Sequence, residues 1–221
     1  MTAPVQQNRW EFVPGDEITI APGRTGKRIR ALDAIAALGI TPGTLGGYVE
    51  NENNLAQVSG NAWVSGDAQV SGDAQVFGDA QVFGNAWVSG DAQVFGNARV
   101  SGDAQVFGDA RVSGDARVSG DAQVSGDAQV FGDAWVSGDA WVSGDGLICW
   151  FSHVGSENGT LSVYNTKNNT LEVTRGGFRG TVAEFLAASA EKHDGRIQHE
   201  YQMLLEVATS RIEAARTKGR P

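Results

Sequence analysis

Twelve aspartates, at 67, 73, 79, 91, 103, 109, 115, 121, 127, 133, 139 and 145, recur through the middle of the chain at steps of six or twelve residues. Asn61, Asn85 and Asn97 fill the gaps. Carboxylates held in rows could bind cations, imitate DNA phosphates toward a basic partner, or cap turns by bonding nearby backbone. An Asx residue at every bend favours capping. The other reactive side chains are sparse. A single cysteine, Cys149, excludes an intrachain disulfide framework and a cysteine zinc site, and three histidines are too few for most metal cages. His193 and His199 are six apart, not the four that places two ligands on one helical face, and His153 reads as a surface or cap-packing residue. The residues assign no catalytic group, no cofactor site and no metal ligand.

What must position these aspartates is a repeat. A valine recurs every six residues from Val58 to Val142, with Ile148 in the next slot, in units of Val-x-Gly-Asp/Asn-Ala-x. Strand alternation turns each Ala and the Val two residues later to one side, so both face inward from Val58 on. Gly followed by Asp or Asn makes the bend, because Gly accepts positive φ without penalty. Three hexads close one 18-residue triangular coil, which stacks on the next at about 4.8 Å. Five coils follow. The 18-residue period places Asp73, Asp91, Asp109, Asp127 and Asp145 in one vertical row, the acidic ladder.

The aliphatic residue with a small residue four positions later, from Val58/Ala62 to Val136/Ala140, resembles the left-handed parallel β-helix of hexapeptide-repeat proteins. That resemblance implies the left hand, and trimeric assembly where the rods associate. Gly stands two positions after the Val here, where many members have it one position after. Arg28-Ile29-Arg30-Ala31-Leu32, Leu45-Gly46-Gly47-Tyr48-Val49-Glu50 and Gly60-Asn61-Ala62-Trp63-Val64 also resemble a group of bacteriophage and prophage proteins with hexapeptide arrays. The best-known hexapeptide enzymes are acyltransferases with a catalytic histidine and a loop extruded from the coils. Here no His, Lys, Tyr or Cys lies between 58 and 146 and no loop interrupts the hexads, which argues against that activity.

The reading is thus mainly β: residues 1–57 as an N-terminal β cap, 58–148 as the solenoid, and 149–221 as a small C-terminal α+β module. In the cap, Trp10 to Val13, Glu17 to Ile20 and Lys27 to Leu32 read as short strands broken by Pro14-Gly15 and Pro22-Gly23. In the C-terminal module, Leu147 to His153, Thr160 to Tyr164 and Leu171 to Thr174 read as strands. Two helices follow: one has a Thr181/Glu184 capping box and an apolar face of Val182, Phe185, Leu186 and Ala190; the other repeats Ile197, Tyr201, Leu204, Leu205, Ala208 and Ile212.

Outward aromatics fall on all three faces: Phe77, Phe95 and Phe131 on one, Trp63, Phe83 and Trp135 on the second, Trp87, Phe107 and Trp141 on the third. Such rings on a Ser/Gln surface point to burial against another rod or the terminal segments, with ring stacking between coils as the plainer alternative. Twelve aspartates against Arg99, Arg111 and Arg117 place the whole net charge of -9 on the array, the flanks carrying 14 charges of each sign. Direct nucleic-acid binding is disfavoured by that charge. No signal-like or spanning apolar run occurs, so a cytoplasmic protein without a membrane partner is expected, in the host cytoplasm if phage-encoded. The function expected is a non-enzymatic scaffold or binding protein. Its partners would be itself, as a trimer by preference, and an unidentified host or phage protein. An acidic decoy is the alternative and an acyltransferase the third.

Overall fold

The computed structural model describes residues 8–144 and 146–218. Fourteen strands of two or three residues, β4 (Trp63–Val64) to β17 (Trp141–Ser143), each hold one x-Val pair of a hexad. Each pairs in parallel with the strand 18 residues along: Arg99 and Val100 lie in register with Gln81 and Val82 on one side, and with Arg117 and Val118 on the other. The strands sort into three sheets that form a β-solenoid of five turns. Val70 to Val142 and Ala68 to Ala140 line its interior at 0–1% exposure, as strand alternation requires. From Gly60 to Gly138 the corner glycines hold φ between 61 and 78°. A Cβ on Gly90 would also lie 2.8 Å from the backbone nitrogen of Gly108 one coil on, so both conformation and stacking demand glycine.

The solenoid does not begin at Val58. That residue is 38% exposed, whereas Leu55 is 1% exposed and bridges in parallel to Val76. Nine residues rather than six separate Leu55 from Val64, so this pairing has a 21-residue offset, and the same offset sets β3 (Leu45–Val49) beneath β5 (Gln69–Val70), with Val49 against Val70. Val49 and Leu55 therefore occupy interior slots ahead of the repeat. Gly46 and Gly47 permit the approach, since a Cβ on either would come within 2.6 Å of the backbone carbonyl oxygen of Val64 or Ala68.

Ahead of β3, β1 (Trp10–Ala21) and β2 (Arg24–Ala31) form an antiparallel hairpin, and β2 pairs antiparallel with β3, so one solenoid sheet runs on to eight strands. Pro14-Gly15 does not break the first strand as expected. It makes a bulge between Phe12 and Glu17, with Gly15 at φ 79°. Pro22-Gly23 does turn the chain.

On the C-terminal side β18 (Ile148–Val154), β19 (Gly159–Asn165), β20 (Leu171–Arg175) and β21 (Phe178–Thr181) form an antiparallel sheet in chain order. The fourth strand was not expected, because Phe-Arg-Gly-Thr is short and its glycine weakens the strand pattern. Helices α1 (Val182–Lys192) and α2 (Gly195–Lys218) cover the sheet, burying Phe185, Ile197, Tyr201, Leu205, Ala208 and Ile212 against Leu161, Val163 and Val173. Thr181 and Glu184 make the capping box read from sequence. Ala190, however, is exposed, and Ser189 takes the buried place.

Candidate functional site

The two ends of the solenoid decide what its sides can do, because a bare end is a row of unpaired backbone groups that would template stacking. Within the array, Gln93 N–H donates to Ala110 O and Phe95 N–H to Val112 O, so each coil's donors reach toward the next. At the last coil, β16 (Trp135–Val136) finds side chains instead. Trp135 N–H donates to the Ser162 hydroxyl at 3.1 Å, the Thr174 hydroxyl donates to Trp135 O at 2.6 Å, and Ser137 N–H donates to the Tyr164 hydroxyl at 3.3 Å. The Asn165 amide closes Trp141 O at 3.1 Å. Burial raises the Tyr164 phenol above its ordinary pKa, so it stays protonated.

At the other end Asn54, fully buried, donates to Gly72 O and Ala74 O at 2.9 and 2.8 Å. Glu50 accepts Gly72 N–H at 2.7 Å and pairs with Arg24, which holds its carboxyl below the ordinary glutamate pKa. Trp10 Nε1 and Arg9 N–H donate to Ala56 O and Gln57 O at 3.3 and 3.0 Å. The sequence places Trp10, Ser162, Tyr164 and Thr174 in strands and Glu50 in a flanking stretch, but spacing assigns none of them a closing role.

The corner aspartates within the described residues are all exposed. Asp145 lies outside those residues. The three corner asparagines do not cap their own turns as expected: Asn61 Nδ2 donates to Asp79 at 2.7 Å, Asn85 to Asp103 at 2.9 Å and Asn97 to Asp115 at 3.0 Å. Stacked corners bring the side chain one coil away closer than local backbone. Two vertical rows thus mix amide with carboxylate, while the row of Asp73, Asp91, Asp109 and Asp127 contains no asparagine. Among the described residues no group of three or more His, Cys, Asp or Glu is arranged to hold a metal ion. His153 and His199 are exposed; His193 caps the end of α1 through its N–H to Ser189 O at 3.0 Å.

The aromatics divide by what meets them. Trp63, 4% exposed, is buried in the same apolar cluster as Trp10, Ile35 and Ile40 of the N-terminal segment. Phe131 packs edge-on to Trp150 at 6.1 Å, and Trp135 lies partly buried at the C-terminal rim. Phe77 and Phe95 stack face to face, 4.9 Å apart with planes 1° from parallel, and Phe107 is partly buried. Phe83, Trp87 and Trp141, and Phe77 despite its stacked neighbour, remain 36–39% exposed. Trp87 and Trp135 are anchored by indole N–H bonds of 3.3 and 3.2 Å to Ser71 and Ser119, in each case a serine 16 residues earlier, a spacing the 18-residue period makes legible.

A capped stack of hexads with outward ring columns defines a β-solenoid repeat protein. Its coils are similar to the YdcK β-solenoid repeat, which matches residues 56–72, 74–90, 92–108, 104–120, 110–126, 122–138 and 128–144. The first three matches begin 18 residues apart, one per coil. No curated protein sequence matches the chain. No helix among the described residues is long and apolar enough to cross a membrane.

Proposed function

We propose that the protein is a non-enzymatic binding scaffold, phage-derived by its resemblance, whose rods associate side by side and present the C-terminal module to a host or phage protein. The observation that carries this reading is the exposure left on Phe83, Trp87 and Trp141 with the terminal segments packed on both rod ends. With the ends occupied, the sides are where apolar surface can still be buried. The resemblance to hexapeptide-repeat proteins favours a trimer, and the lack of a histidine, lysine, tyrosine or cysteine between 58 and 146 supports a role without catalysis.

Light scattering of the full chain is expected to give a multiple of 23.2 kDa. Phe83→Ser, Trp87→Gln and Trp141→Gln together should return it to the monomer with the coils intact, since serine follows the valine and glutamine precedes it in other hexads of the array. A wild-type monomer would overturn the self-association. The acidic-decoy reading draws on Asp73, Asp91 and Asp109, a row without asparagine relief. It requires a basic host protein whose binding weakens steeply with salt and on Asp91→Asn with Asp109→Asn.

A further inference from the structure

Helix α2 carries two seams. The buried one, Ile197, Tyr201, Leu205, Ala208 and Ile212, packs on the sheet of the C-terminal module. On the opposite side Met203, Val207, Ser210 and Ala214 recur at steps of four, three and four, the a/d spacing of a helix that pairs with another helix. All four are exposed, and after Leu45 the 48% exposure of Met203 and of Val207 is the highest of any large apolar side chain among the described residues. Charge runs along one edge of this outer seam. Glu206 and Glu213 stand one residue before Val207 and Ala214, a heptad apart, and both are exposed. Glu206 meets only the Gln202 amide, at 3.3 Å, and Glu213 has no partner among the described residues. Arg211 is the cation of the other edge.

A second copy of the chain fills the outer seam badly. In a parallel pair Ser210 and Ala214 would face their own small copies, and in an antiparallel pair the acidic edges would run against each other. What fits is a helix with large apolar side chains opposite Ser210 and Ala214, whose small size lets its backbone come close, and with lysine or arginine along the edge that meets Glu206 and Glu213. We infer that the outer face of α2 docks one such basic-edged amphipathic helix of a partner protein. This rests on the reading that the C-terminal module is presented to a host or phage protein, and it names what that protein brings.

The probe is a synthetic helix of three heptads with leucine at a and d and lysine at e and g, labelled and titrated into the full chain by fluorescence anisotropy; its lysines keep it from pairing with itself. Saturable binding is expected, at least about tenfold weaker on Met203→Gln with Val207→Gln, which keeps the charge and changes only exposed positions. Glu206→Gln with Glu213→Gln should weaken it at least about threefold and flatten its salt dependence, and the same helix with glutamate at e and g should bind at least about tenfold more weakly. Full affinity in the Met203 and Val207 variant would place the peptide on the aspartate ladder and overturn the assignment, as would absence of saturation or equal binding of the glutamate helix. A second copy as occupant would show as a dimer of the Phe83, Trp87 and Trp141 variant that Met203→Gln with Val207→Gln dissolves, and that too would overturn it. Should the wild type prove monomeric, the lateral assembly falls, while saturable binding that depends on Met203 and Val207 still supports this site.

Discussion

At residue scale the start of the rod turns on Leu55 and Val58, which differ in exposure by 1% against 38% although only Val58 fits the hexad rule. Removing the Leu55 side chain opens a hole beneath Val76, so Leu55→Ala should cost about 2–5 kcal/mol in chemical unfolding. Val58→Ala should stay within about 0.5 kcal/mol, as surface changes do. Equal costs would return Val58 to the interior. The same scale holds Glu50. Its carboxyl lies below the ordinary glutamate range because Arg24 hydrogen-bonds it and Gly72 N–H adds to that bond. A depressed carboxyl contributes stability that is present above its unfolded pKa and lost as pH falls through the folded value. Thermal melts in acid should therefore show Glu50→Gln losing less stability than wild type over that descent.

At the scale of elements, the last coil's three strands differ in how they are closed. Ser162, Thr174 and Tyr164 bond the backbone of β16, and Asn165 that of β17, whereas among the described residues no hydrogen-bond acceptor meets the N–H of Gln129 or Phe131 around the third, β15 (Gln129–Val130). The space above Gly132 is open too: a Cβ there would meet only Trp150 Nε1, at 3.8 Å, while one on Gly114, a coil below, would lie 3.0 Å from Gly132 itself. Hydrogen exchange should accordingly find the Gln129 and Phe131 amides at least about tenfold faster than those of Trp135 and Ser137. Uniform protection along the rim would refute this account. Ser162→Ala should then speed Trp135 alone, since one acceptor is lost.

For the whole molecule, the terminal segments keep a self-complementary stack from growing. Ending the chain after residue 144 removes Ser162, Tyr164, Asn165 and Thr174 together and bares two more strands. Such a fragment should associate end to end into fibres visible by electron microscopy, while the full chain does not. A fragment that stays dispersed would mean that the coils themselves resist stacking. The aspartates bear on this scale as well, because rows of like charge about 4.8 Å apart repel along the rod, and Asn61, Asn85 and Asn97 each replace one such contact with a hydrogen bond.

The array was legible residue by residue because it obeys one local rule. A six-residue period with glycine at each corner fixes which side chain faces in, and repetition leaves each strand a single register, with its own copy 18 residues on. The capping box at Thr181 and the buried stripe of α2 were readable for the same reason, since both depend on spacing along one helix. Where partners are distant in sequence, spacing carries no such information. The offset of 21 at Leu55, the passage of β1 through Pro14-Gly15, the fourth strand β21 and the rim closed by Ser162, Tyr164 and Thr174 each satisfy a backbone group on another element.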